Sequence, residues 1–205
     1  MAVIADEKDL CNLALVNLGA KTITALGDST DRATACNTIY YDFEKARLTE
    51  YPWRFNMKKV ALSENATAPI NEYENAFDFP NDILAGPYAV FNSTGDDMPP
   101  IKNFEIFGQQ LFTNEETIVI DYTADLAVTL WPAYFVDYFV AALTAELAFI
   151  ITDQQNTAIY WRQVAYGLPS ELGMGGKFGR ARHLEAFYNT SQVIEDYSLI
   201  NARQV

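Results

Sequence analysis

Residues 130–151 form one almost uninterrupted apolar run, and nothing else in the chain constrains the fold as strongly. At 1.5 Å per residue, a helix over that run is long enough to cross a bilayer. Two carboxylates argue against it. Asp137 and Glu146 lie nine residues apart, on opposite faces of a helix, and both would be costly in lipid. A helix that is apolar nearly all round yet carries opposed charges is expected at the centre of a soluble core, enclosed by its neighbours. Trp131-Pro132 opens it, with proline where the first turn needs no N–H. The chain has 205 residues and is 50% hydrophobic, enough for one large domain, or a domain with an appendage, around that helix.

Three more helices are expected. The first runs from about Asp6 to Leu18, with Asp6 as N-cap, Leu10, Leu13, Ala14 and Leu18 at helical spacing, and Gly19 suited to a left-handed stop. The second is capped by Ser29 or Thr30 and ends near Tyr51-Pro52; a short loop predicts that it packs antiparallel to the first. The fourth begins around residues 154–156 and passes Ile159, Trp161 and Val164 to Gly167-Leu168-Pro169. From Trp53 the apolar period shortens to two. Short strands are expected over residues 55–62, 76–79, 88–91, 104–107 and 117–122, with a tight connection at Gly108-Gln109 into residues 110–113.

The expected fold is therefore mainly α: an antiparallel four-helix bundle with a small β-rich insertion and an extended C-terminal arm. Residues 1–60 would be the first helical hairpin, 61–130 the β-rich insertion, 131–168 the second helical pair and 169–205 the arm.

Charge is concentrated in the insertion. The whole chain carries 27 acidic and 14 basic residues, a net of −13, and residues 61–130 hold twelve acids against one base, Lys102. Neutralising phosphates needs a basic footprint, so binding to DNA as a whole-molecule function is disfavoured. Cys11 and Cys36 are too few for a disulfide framework and read as core thiols in a reducing cytoplasm. Early acids at Asp6, Glu7 and Asp9 argue against a signal peptide.

Catalytic patterns are sparse. His183 is the single histidine, so triads and multi-histidine metal sites rest on it alone, and no Cys-x-x-Cys pair exists. Gly175-Gly176-Lys177 superficially resembles a phosphate-binding loop. Glu171 and Phe178 stand where such a loop needs glycine and Ser/Thr, so the segment reads as a flexible hinge. Acid pairs such as Asp96/Asp97 and Glu115/Glu116 read as turns or solvated faces; no cofactor or metal is expected, and no enzymatic activity. The alternatives are a virion-associated cell-wall hydrolase using two carboxylates across a cleft, and a helical binding module unrelated to virions.

One group of motifs resembles a known family. Leu10-Cys11-Asn12-Leu13-Ala14-Leu15-Val16-Asn17-Leu18-Gly19-Ala20, then Ile23, Leu26 and Asp28-Ser29-Thr30, is followed by Ala33-x-x-Cys36-x-x-x-Tyr40. Leu48-Thr49-Glu50-Tyr51-Pro52-Trp53-Arg54-Phe55, a Tyr73–Asp82 segment, Tyr122 to Asp125, Trp131-Pro132 and an Ala142 to Ala148 helix centre come next, in order. This combination, over roughly residues 8–150, is similar to the head-to-tail connector (adaptor) proteins of tailed bacteriophages, the group that includes tail tubular protein A. Residues 168–205 depart from that pattern.

The resemblance implies a non-enzymatic virion protein at the head–tail junction, assembled in the host cytoplasm. It would form a ring of about twelve copies docked between the portal protein and the next tail or tail-nozzle protein. The ring would seal the head after packaging and form part of the ejection channel, with DNA passing through unbound and no membrane involved. The arm would grip the portal through Phe178, Arg180, Arg182, His183, Phe187, Tyr188, Tyr197 and Arg203, since aromatics and arginines dominate interface energetics. Asp96, Asp97, Glu115 and Glu116 would belong either to an acidic channel lining or to a solvated outer face. The arm is expected to order only on the portal, so a chain ended after Leu168 should still fold.

Overall fold

A computed structural model describes residues 4–67, 69–93 and 99–188. Five helices surround one aromatic core: α1 (Glu7–Asn17), α2 (Asp31–Thr49), α3 (Ala133–Thr152), α4 (Gln155–Tyr166) and α5 (Gly176–Phe187). Between α2 and α3 run seven strands: β1 (Met57–Ala61), β2 (Ser63–Glu64), β3 (Asn75–Asp78), β4 (Ile83–Phe91), β5 (Glu105–Phe107), β6 (Gln110–Thr113) and β7 (Val119–Ala124).

The helix starts follow local chemistry. Asp6 accepts from the Asp9 backbone N–H at 3.0 Å, and Thr30 Oγ1 accepts from that of Ala33 at 3.2 Å, each satisfying a donor the helix leaves open. Beyond α1, the Asn12 side chain clamps the returning loop: its amide donates to the Ile23 carbonyl at 3.1 Å and its oxygen accepts from the Ile23 N–H at 2.8 Å. Asp28 then accepts from the Thr24 and Ala25 backbone N–H groups and from the Thr24 hydroxyl, shaping the turn into α2. These three hydrogen bonds, the Thr24 hydroxyl's first, hold its carboxyl below the usual range.

α3 is the axis of the molecule, packing against α1, α2, α4 and α5. Its apolar length is used on these neighbours: Phe135, Tyr138, Phe139, Leu143 and Leu147 are fully buried. α1 and α2 meet through the buried Cys11 and Cys36, and each also docks on α3. Trp53 sits at the focus, its ring against Tyr51, Phe135, Tyr138 and Phe178, with its indole N–H donating to the Arg47 carbonyl at 3.1 Å. Trp131 packs edge-on against Phe135 and Phe139 and donates to the Leu126 carbonyl at 2.9 Å.

The strands make two antiparallel sheets, ordered β1-β7-β4 and β2-β3-β6-β5. Phe77 and Leu111 of the second meet Val90, Ile120 and Tyr122 of the first in a core separate from the helical one. β4 ties the layers together: Ile83 packs into the sheet core while Leu84 packs against the helical core. Its register shifts around Gly86, whose φ is +120° and where a Cβ would stand 3.2 Å from the Tyr122 backbone.

The architecture corrects the four-helix expectation. Over the described residues the protein is a mixed α/β fold, 46% helical and 18% strand, with five helices and two sheets in place of a four-helix bundle carrying a small insertion. Two causes can be named. The strands, expected as a small insertion, pair across sequence into two sheets with a core of their own. And much of the expected arm is α5, a core helix burying Phe178, Ala181 and Glu185. The glycine-rich segment before it is a packed joint, not a hinge. At Gly176 a Cβ would lie 2.7 Å from the Val164 carbonyl oxygen, so only glycine lets α5 start this close to α4.

Candidate functional site

The expected portal-gripping residues divide sharply. Phe178 is only 3% exposed, its ring against Trp53, Tyr138 and Tyr166, so it is core and not an interface anchor. Arg182 is folded onto the protein as well: its guanidinium lies over Tyr51 and Phe178 at 5.1 and 5.5 Å and donates to Met174 Sδ. Arg180, His183 and Phe187 are exposed, and their spacing of three and four residues puts them on the outer face of α5. Tyr188 at the helix end is exposed and stacks on Tyr134. Lys177 and Arg180 line a cleft of about 310 Å³ with Tyr134 and Asp137, where Lys177 pairs with Asp137 at 2.7 Å. Tyr197 and Arg203 lie outside the described residues.

The acidic set also divides. Glu115 is a structural staple: its carboxylate accepts from the Asn92 amide at 3.2 Å and its carbonyl from the Asn75 amide at 3.0 Å. Glu116 is exposed beside it. Asp96 and Asp97 lie outside the described residues. Elsewhere in the β layer, Asp82 accepts from Lys58 Nζ at 2.6 Å and from the Tyr122 hydroxyl at 2.9 Å. The lysine contact, first, holds the Asp82 carboxyl low; burial, followed by Asp82, pushes Tyr122 up to about 12.

Sequence reasoning missed three arrangements. One is a polar network at the end of α2, in which Arg47 and Glu50 pair at 3.1 Å, Arg47 donates to the Tyr166 hydroxyl and Tyr138 donates to Glu50. The second is Glu185, a buried carboxylate that accepts from the Arg54 N–H at 2.6 Å and from the Tyr134 hydroxyl, fastening α5 to the turn after Trp53.

The third is a groove between α3 and α4. Two adjoining cavities, of about 420 and 500 Å³, share Glu146, Ile159 and Arg162 as walls; Arg47, Tyr166 and Leu168 border one and Phe149 the other. Phe149, Ile159 and Leu168 are exposed there. A signal was present: the apolar residues of α4, from Ala158 through Ile159, Tyr160 and Trp161 to Val164, cover more of the helix than one buried stripe requires. Among the described residues, no group of three or more His, Cys, Asp or Glu side chains is placed to share a metal ion.

No protein-family profile matches the chain, and comparison with curated proteins finds no relative.

Proposed function

We propose that the protein is a structural ring subunit of a bacteriophage head–tail connector, docking between portal and tail and lining a passage for DNA. The observation that carries this reading is the distribution of exposed apolar side chains. They stand at separate places: Leu13 and Val16 on α1, Phe149 and Ile159 along the α3–α4 groove, and Ile106 and Phe107 on β5. A closed ring needs two unlike patches on every subunit, one for each neighbour. α1 and the groove also lie on nearly opposite sides of α3. Asn17 of α1 donates to Thr144, and Glu146, two residues on, faces the groove.

The motifs that resemble connector proteins support the same reading. Asn12, Asp28, Trp53, Asp82 and Trp131 are each a hinge-point of the architecture, fixing a loop, a turn or the junction of the two layers. The resemblance is thus carried by the scaffold. A net charge of −13 suits a passage that DNA crosses without being held. Portal contact is assigned to the exposed end of α5, through Arg180, His183, Phe187 and Tyr188, together with residues 189–205.

The test is electron microscopy of the purified chain mixed with the portal of the phage that encodes it. An added ring of density beneath the portal is expected. Portal particles that remain bare at saturating protein would overturn the reading.

A further inference from the structure

The β5–β6 hairpin and the α3–α4 groove are two exposed surfaces on different layers of the protein. β5 is the edge strand of its sheet, and all three of its residues are exposed. Glu105 and Phe107 are two apart and therefore project from the same face, about 7 Å from one another along the strand. Phe107 is 58% exposed, its ring tilted against that of Phe112 with centroids 5.9 Å apart, and the chain turns away behind it at Gly108. The result is a projecting pair: one aromatic ring beside one carboxylate. An uncovered edge strand of this kind is a liability that proteins normally cover.

The groove offers the complementary pair. Ile159 and Arg162 are one turn apart on α4, with Cβ atoms about 5–6 Å from each other, and both line the two cavities. Ile159 is 47% exposed, and Arg162 makes no ion pair or hydrogen bond among the described residues. The groove's own acid, Glu146, has a counterpart in Lys102, the single base of residues 61–130, three positions before Glu105. Spacing, polarity and charge therefore match along both surfaces.

We infer that the β5–β6 hairpin of one copy seats in the α3–α4 groove of the next, Phe107 against Ile159 and Glu105 against Arg162. This rests on the ring reading above and names the contact that would close the ring. Because the two surfaces differ, the contact is head-to-tail and leaves a free hairpin and a free groove at the ends of every open assembly.

Two chains, each with one added cysteine, test it. Phe107→Cys and Ile159→Cys are each exposed positions, whereas the native Cys11 and Cys36 are buried and shielded from a short bis-maleimide. A mixture of the two chains at high concentration should give a cross-linked dimer that neither chain gives alone. Glu105→Arg and Arg162→Glu should each weaken association by about tenfold, and combining them should restore it. Cross-linking by Phe107→Cys alone would mean a symmetric contact and overturn the inference; so would the absence of the mixed dimer at every concentration. If rings form on the portal while the mixed cross-link and the charge swap have no effect, the hairpin contact fails and the ring reading stands. If no ring forms on the portal, the ring reading fails, and the mixed cross-link in concentrated protein still decides whether this contact exists.

Discussion

Glu44 is a carboxylate whose protonation the fold displaces into the neutral range. It is buried on α2 where the helical layer meets the sheets, one turn after Tyr40, whose own buried hydroxyl has no hydrogen-bond partner among the described residues. Burial first, then the carboxylates of Asp125 and Glu7, push the Glu44 pKa up to about 7, and Lys45 offsets this only in part. In the unfolded chain the same group ionises near 4.5. Between those values the folded state holds a proton that the unfolded state releases, so stability is greatest at low pH and falls as pH rises through about 7. The loss should approach about 3 kcal/mol. Glu44→Gln, neutral at every pH, is expected to unfold at a higher temperature than the parent at pH 8 and to match it near pH 4.5. Parallel melting profiles for the two chains across that range would remove Glu44 as the cause. Its place four residues after Tyr40 and four before Leu48 puts it in line with the buried face of α2, so its burial was legible from spacing; the size of its shift was not, because Asp125 and Glu7 come from elsewhere in the chain.

At the level of elements, α5 departs furthest from expectation, and the reason is compositional. Its buried face is one phenylalanine, one alanine and one glutamate, too little apolar character to form a visible stripe. The glutamate belongs there only because Arg54 and Tyr134 supply donors from distant parts of the chain. A chain ended after Leu168 therefore loses a wall of the Trp53 cluster and should not fold as the arm reading requires. Phe178→Ala isolates the effect: about 3 kcal/mol of stability should be lost, with a fall in Tm on the order of 10 °C, read by calorimetry. A change of only a degree or two would return α5 to the status of an appendage. By contrast α1, α3 and α4 were legible, because each has a cap, a regular apolar spacing or a run too apolar to be anything but enclosed. β4 was legible only in its second half, since Gly86-Pro87 reads as a turn although the strand continues through it on the other side of a bulge.

For the whole molecule, charge and surface matter more than any single group. Exposed acids on the β layer, including Glu64, Glu72, Glu74, Asp78, Glu105 and Glu116, face solvent with few basic partners. Duplex DNA in low-salt buffer should show no retardation on a gel at micromolar protein; a shift that disappears with added salt would contradict the picture of a passage that repels its cargo. Amino-acid order alone settled the local decisions: where chains cap, turn and alternate, how acidic the middle would be, and that the run around Phe139 must lie inside. Those depend on neighbours a few residues away. Which strands pair, that a glycine-rich segment packs tightly, that Phe178 is core, and that Ile159 and Arg162 border a groove all depend on residues brought together from across the chain. Burial is a property of the assembled layers, and a side chain has no inside or outside until they close around it.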